Sequence, residues 1–228
     1  VREVLDKAGR VTGPRVYAMA AITKGRAGKE LTDFAALAEA GVAGFTDDGN
    51  GVQDAALIQE AMEKCASLGL RLSEHCQMAD LSADGVMHQG AASEEAKLPG
   101  QPAEAESQMV ARDILYSELA NAPVHFQHIS AAQSVGLIRD ARQRGAHITA
   151  EVTPHHLVFT DEDAAAGGPD FKMNPPLRGR RDREVLLKAV SEGTLDIIAT
   201  DHAPHTAESK ARGFRHAPFG VIGMETAV

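Results

Sequence analysis

Five times along the chain a short apolar run is followed by a longer stretch whose apolar residues recur at helical spacing, and a sixth apolar run closes the series. That rhythm is the pattern of βα units and a parallel sheet. Strands are expected near Arg15–Ala20, Val42–Thr46, Arg71–His75, Val124–His128, His147–Val152 and Asp196–Thr200. Helices are expected near Glu30–Ala40, Gln53–Leu68, Ala103–Leu119, Ala131–Arg144 and Arg181–Glu192. Two α/β architectures hold such a series: a closed (β/α)8 TIM-type barrel missing two strands, or an open doubly wound sheet. No Gly-x-Gly-x-x-Gly follows any strand, so the nucleotide-binding form of the open sheet has no support.

The longest stretches between these elements, 76–102, 154–177 and 201–223, read as irregular, and all three follow a strand. In a barrel such loops build the active-site face. The last of them is polar and is expected to rearrange around substrate. Val1–Ala8 reads as a helix already under way, and Glu225–Val228 as the start of another. Both ends are therefore expected to be cut, leaving 1–228 as part of a catalytic barrel.

Composition narrows the function. With 43% hydrophobic residues in 228, the chain can bury an ordinary core. A net charge of −9 without basic clusters argues against nucleic acid, whose phosphates need concentrated Lys and Arg. No run approaches the roughly 18 apolar residues of a membrane span, and no signal peptide opens the chain, so the expected location is cytoplasmic. Cys65 and Cys76 read as reduced thiols.

The chemistry collects at strand ends. Asp47 and Asp48, His75, His128 and Asp201 stand at the C-terminal ends of four expected strands. In a barrel, strand ends far apart in sequence converge on one opening, which favours that architecture. Imidazole with carboxylate is the ligand set of zinc and related divalent ions, whereas calcium takes oxygen alone.

Around these positions lie Phe45-Thr46-Asp47-Asp48-Gly49, Glu74-His75-Cys76, His125-Phe126-Gln127-His128-Ile129-Ser130, Glu151-Val152-Thr153-Pro154-His155-His156, Asn174-Pro175-Pro176-Leu177-Arg178 and Ala199-Thr200-Asp201-His202-Ala203-Pro204-His205. Ala217-Pro218-Phe219-Gly220 and Gly223-Met224-Glu225-Thr226-Ala227 complete the series. In this order the strings resemble bacterial dihydroorotases of the longer-chain class, within the amidohydrolases. The resemblance implies metal-dependent, reversible hydrolysis of the cyclic amide of dihydroorotate to N-carbamoyl-aspartate, with one or two zinc or related divalent ions. It implies that Asp48 bridges or approaches the metals where related hydrolases use a carboxylated lysine, and that His75 and His128 ligate the second metal position. Asp201 would bind the first metal and shuttle a proton. Asn174 and His205 match substrate-contacting positions, and Phe219-Gly220 a segment whose backbone faces the substrate ring.

Two departures stand against this pattern. The family's His-x-His, which supplies two ligands of the first metal, is absent from these residues; it is expected upstream, and the fragment alone is expected to be inactive. Gln77 stands where relatives commonly carry Glu after His-Cys, a change expected to alter metal affinity modestly. Plainer roles are expected elsewhere. His155 and His156 read as a structural turn pair, with support of a metal ligand as the alternative, and Asp47 as a cap of the turn that follows it. Lys172 and Arg178 read as steering an anionic substrate or as solvated charge; His88 and His216 carry no signal.

Two other functions compete. One is a hydantoinase or allantoinase, which usually places a lysine where this chain has Asp47-Asp48. The other is a non-catalytic dihydroorotase-like subunit of aspartate transcarbamoylase, in which metal ligands are lost. A homodimer, or association with the transcarbamoylase, is implied by the resemblance alone.

Overall fold

In a computed structural model, which describes residues 1–226, all six expected strands form and pair in parallel. In chain order the elements are α1 (Arg2–Ala8), β1 (Met19–Ala20), α2 (Phe34–Glu39), β2 (Gly44–Phe45), α3 (Ala55–Leu68) and β3 (Arg71–Glu74). Next come α4 (Ala79–Ser82), β4 (Met87–His88), α5 (Ala91–Ala96), β5 (Gly100–Gln101), α6 (Glu104–Ala120), β6 (Val124–Phe126), α7 (Ala132–Gln143) and β7 (Ile148–Val152). The series ends with α8 (Pro154–Val158), α9 (Asp161–Gly167), α10 (Arg180–Ser191), β8 (Ile197–Ile198) and α11 (Ala207–Lys210). The main sheet runs β1-β2-β3-β6-β7-β8, with Leu72 opposite Val124 and Val124 opposite Ile148. This is the α/β, incomplete TIM-type arrangement, six parallel strands with their crossover helices.

Local sequence starts and stops several of the helices. Asp33 and Asp54 cap α2 and α3 by accepting the N–H of Ala36 and Leu57, satisfying donors that the first turn leaves unpaired. Gly69, with φ of 64°, ends α3 in the left-handed conformation that glycine adopts without strain. Ile58, Ala61, Met62 and Cys65 share one face of α3 and are buried there. Burial of Ile58 and of Met62 stabilises the fold by about 1.5–3 kcal/mol each. On β7 the two faces separate cleanly, with Ile148, Ala150 and Val152 buried and Thr149 and Glu151 half-buried on the other side.

The edge strands are short and exposed. Met19, Ile197 and Ile198 each keep 43% or more of their surface in solvent. Each edge strand has a ladder on one side only, and β1 is shorter than the expected Arg15–Ala20.

All three of the expected irregular loops are corrected, 201–223 by the short helix α11. Residues 76–102 contain α4, α5 and a separate parallel pair, β4 with β5, and 154–177 contain α8 and α9. Strands of two residues are too short for alternation to register in sequence. Thr160 and Asp163 form a reciprocal capping box that starts α9. Met224–Thr226 is a single 3-10 turn, and Ala227 and Val228, the end of the expected last helix, lie outside the described residues. Among the described residues no helix is long and apolar enough to cross a membrane.

Candidate metal centre

The turn after β2 presents Asp48. Thr46 Oγ1 accepts the Asp48 N–H at 3.1 Å, and Arg26 Nη1 donates to the Asp48 carbonyl at 2.8 Å. Asp47 points elsewhere: its buried carboxylate accepts the Thr23 N–H at 3.1 Å and the Thr23 hydroxyl, tying the loop after β1 to the loop after β2. The expected side-chain cap is thus corrected, since the turn is closed by the Asp47 carbonyl, which accepts from Asn50 N–H at 2.8 Å.

His75 follows β3 and His128 follows β6, neighbouring strands in the sheet, so their rings meet. His75 Nδ1 lies 3.0 Å from His128 Nε2, and Asp48 Oδ1 lies 3.5 Å from the first and 3.4 Å from the second. All three ligand atoms fall within 4.8 Å of one another. Two nitrogens at 3.0 Å need a proton between them. Burial alone would raise the Asp48 carboxyl, yet hydrogen bonds from His128 and His75 hold it well below the carboxylate range. Burial alone would lower His128, yet its hydrogen bond to Asp48, helped by Asp201 and Glu151, raises it. The cluster is therefore an arrangement that calls for positive charge, and its donor set of two imidazoles and a carboxylate fits a divalent ion such as zinc.

Neighbouring groups hold the His75 ring and the His128 backbone. Gln77 Oε1 lies 2.9 Å from His75 Nε2 and accepts from Asn174 Nδ2 at 2.6 Å. His75 Nε2 thus meets an acceptor, Gln77 Oε1, and a donor, Asn174 Nδ2 at 3.1 Å, while Nδ1 faces the cluster. The His128 N–H donates to Glu151 Oε1 at 3.3 Å, and Glu151 Oε2 lies 3.0 Å from His125 Nε2. Glu151 and His125 were not singled out by sequence, although both lie within the quoted strings.

A cavity of about 230 Å³ opens on this cluster, lined by Asp48, Gly49, His75, His128, Asn174, Asp201, Ala203, Phe219 and Gly220. Thus Asp201, Asn174, Phe219 and Gly220 share one opening with the three clustered residues. Asp201 lies outside the tight triad but faces it electrostatically; burial raises its carboxyl, and His128 partly offsets this. His128 and Asp201 both have positive φ, 32° and 45°. Non-glycine residues held there carry about 1–3 kcal/mol of strain, and such strain gathers at functional sites.

His205 is exposed and outside the cavity lining; its Nε2 donates to the Phe219 carbonyl at 2.8 Å. It supports the Phe219-Gly220 segment. Gly220 has φ of 135°, and a Cβ there would stand 2.5 Å from the Ala203 carbonyl oxygen, so only glycine lets the two backbones approach.

Other expectations resolve individually. His155 Nε2 donates to the Thr200 carbonyl at 3.0 Å, and His156 bridges the Pro175 carbonyl at 3.1 Å and the Thr153 hydroxyl at 2.8 Å. Burial pushes the His156 imidazole down to about 3. Lys172 and Arg178 are each 3% exposed, so neither is solvated charge nor a rim that steers anions. Lys172 Nζ donates to the carbonyls of Arg215 and Ala217, and Lys210 Nζ to those of Pro169, Lys172 and Pro218. These two ammonium groups fasten the loop after β8 to the segment before Asn174. His88 is not without a role either, since its Nδ1 accepts from Arg178 at 3.2 Å. Both cysteines are buried free thiols; burial pushes Cys65 up to about 12.

Comparison with known proteins agrees with this geometry. The family model described as dihydro-orotase-like matches residues 3–134, more than half of the chain. A dihydroorotase from Brevibacillus brevis is 49% identical over 229 residues, covering 100% of this chain and 54% of the relative. One from Bacillus cytotoxicus is 52% identical over 207 residues, covering 91% of this chain and 48% of the relative. The chain thus spans about half the length of the curated relatives it matches. Among solved structures, an L-hydantoinase (dihydropyrimidinase) from Arthrobacter aurescens superposes with a TM-score of 0.80 at 22% identity, over 99% of this chain and 52% of that one. A dihydropyrimidinase from Brevibacillus agri gives 0.67 at 23% identity, over 81% of this chain and 43% of that one. These two show the fold, and the family model shows the kinship: the chain belongs to the dihydro-orotase-like family.

Proposed function

We propose that the protein carrying this chain is a dihydroorotase, which interconverts dihydroorotate and N-carbamoyl-aspartate in pyrimidine synthesis, and that residues 1–228 are part of its catalytic barrel. The observation that carries the reading is the Asp48-His75-His128 cluster opening on the cavity that also holds Asp201 and Asn174. Sequence identity of about half with dihydroorotases supports the choice of substrate. Asp48, His75 and His128 would hold a divalent ion, zinc in our reading, at the second metal position, with Asp201 contributing to the first. When bound, such an ion acidifies water towards neutral pH and polarises a carbonyl.

The chain's own groups do the rest. Asp201, a carboxylate raised by burial, accepts a proton from the attacking water as the new C–O bond forms. It returns that proton to the ring nitrogen as the amide C–N bond breaks, and the reverse sequence closes the ring. Asn174, held by Gln77 and Gln101, presents its amide to substrate, and the Phe219-Gly220 backbone closes the cavity opposite the cluster. His205 keeps that backbone in place. The substrate is a small molecule, and the reading carries with it action in the cytoplasm.

The test is hydrolysis of dihydroorotate by the full-length protein, with hydantoin and allantoin as competitors. We expect metal-dependent turnover of dihydroorotate, abolished by a chelator and restored by zinc. Preference for hydantoin or allantoin, or no turnover in the metal-loaded protein, would contradict the reading.

A further inference from the structure

Two charged side chains that this reaction does not use are buried behind the cluster. Glu106 on α6 and Arg178, just before α10, are each 3% exposed. Burying ions is unfavourable unless their donors and acceptors are met, and here they are met by particular segments of the site. Glu106 accepts the Ser130 N–H at 3.2 Å, the Ala131 N–H at 3.0 Å and the Ser130 hydroxyl. These donors stand at the start of α7, where Ala131 supplies no side-chain cap. Arg178 donates from Nε to Ser130 Oγ at 3.0 Å and from Nη1 to the Gln101 carbonyl at 3.0 Å, and its Nη2 lies 3.9 Å from Glu106.

Both ends of this fork lead to the site. Ser130 is two residues beyond His128, whose left-handed backbone must be held against strain. Gln101 Nε2 donates to Asn174 Oδ1 at 3.3 Å, and Asn174 in turn meets Gln77 beside His75. An apolar pair of equal volume would fill the space, yet it would leave the Ser130 and Ala131 donors unpaired and set no direction. A planar guanidinium with several fixed donors sets the relative orientation of the segments it joins.

We propose that the Glu106–Arg178 pair is a positioning device that sets His128 for metal and Asn174 for substrate together, without touching either ligand. The proposal rests on the cavity being a metal-dependent hydrolase site. It does not depend on dihydroorotate being the substrate.

The experiment uses the full-length protein and the variants Arg178→Lys, Arg178→Gln and Glu106→Gln. Cobalt and zinc affinities are measured by competition with a chelator, the visible spectrum of the cobalt-loaded protein is recorded, and kcat and KM are separated. Arg178→Lys keeps the charge but not the fork. We expect it to fold as the parent does, bind metal about 10–100-fold more weakly, show an altered cobalt spectrum and raise KM more than it lowers kcat. Glu106→Gln should move the same quantities less. A folded Arg178→Lys or Arg178→Gln variant with parental metal affinity, spectrum and KM overturns the proposal. So does loss of folding in all three variants, which would make the pair structural only. If Arg178→Gln alone fails to fold, the other two decide. The affinity and spectrum stand even if the protein proves to act on another cyclic amide, so failure of the substrate assignment is separable.

Discussion

The chain holds two histidine pairs, His75 with His128 and His155 with His156, that differ in what their ring nitrogens meet. In the first pair Nδ1 of one ring faces Nε2 of the other, with the Asp48 carboxylate 3.4–3.5 Å from both. In the second pair the donors go to the carbonyls of Thr200 and Pro175, and His156 also uses its other nitrogen on Thr153. Both pairs are largely buried, so burial does not separate a ligand from a structural histidine. The difference lies in whether backbone consumes the lone pairs and N–H groups or a carboxylate leaves a common point for a cation.

The largest effect should come from breaking the first pair. His128→Ala or His75→Ala in the full-length protein should remove metal from the cluster and abolish turnover, whereas His155→Ala should retain metal content; elemental analysis of purified variants separates them. Equal metal loss from both pairs would erase the distinction. Next in size is Asp201→Asn, which keeps the side chain's size but removes its proton-accepting ability. With the rate normalised to bound metal, turnover should fall about 10²–10⁴-fold. A parental rate in the fully loaded variant would remove Asp201 from the proton path.

The second pair has its own signature in pH. His156 is neutral when folded, and burial places its folded value at about 3, below the ordinary value of about 6.5. As pH falls from about 6.5 to about 3, the unfolded chain takes up the proton first and stability is lost across that window. His156→Asn should flatten this part of the stability profile, measured by denaturant melts at successive pH values; an unchanged slope would refute the assignment. The smallest effect is expected at Gln77. A carboxylate there would hold the His75 proton on Nε2 and make Nδ1 a better donor, so Gln77→Glu should tighten zinc binding a few-fold and Gln77→Met weaken it about 10-fold. Affinities unchanged in both variants would show that Gln77 does not orient the ring.

Much of the site was visible in sequence because strand ends are positional: once the six strands were placed, Asp48, His75, His128 and Asp201 had to approach one opening. Asn174, Phe219 and Gly220 came from the resemblance, and the cavity brings them to the same place. Glu106 is hidden because a charged residue in a helix with several other acids reads as solvent-facing, and Arg178, in an arginine-rich segment, reads as a steering or solvated charge for the same reason. Only the fold shows that both face inward. Lys210 is hidden for that reason too, and Lys172 reads as surface charge although it is buried. The β4–β5 pair escaped because two residues carry no period.

The central claim is that the first histidine pair and Asp48 hold the catalytic ion, and anomalous X-ray scattering at the zinc edge from crystals of the zinc-loaded full-length protein tests it directly. The account predicts an anomalous peak within about 2.0–2.2 Å of His75 Nδ1, His128 Nε2 and an Asp48 oxygen. A fully loaded protein whose zinc sits on His155 and His156, or elsewhere away from these three atoms, would contradict it.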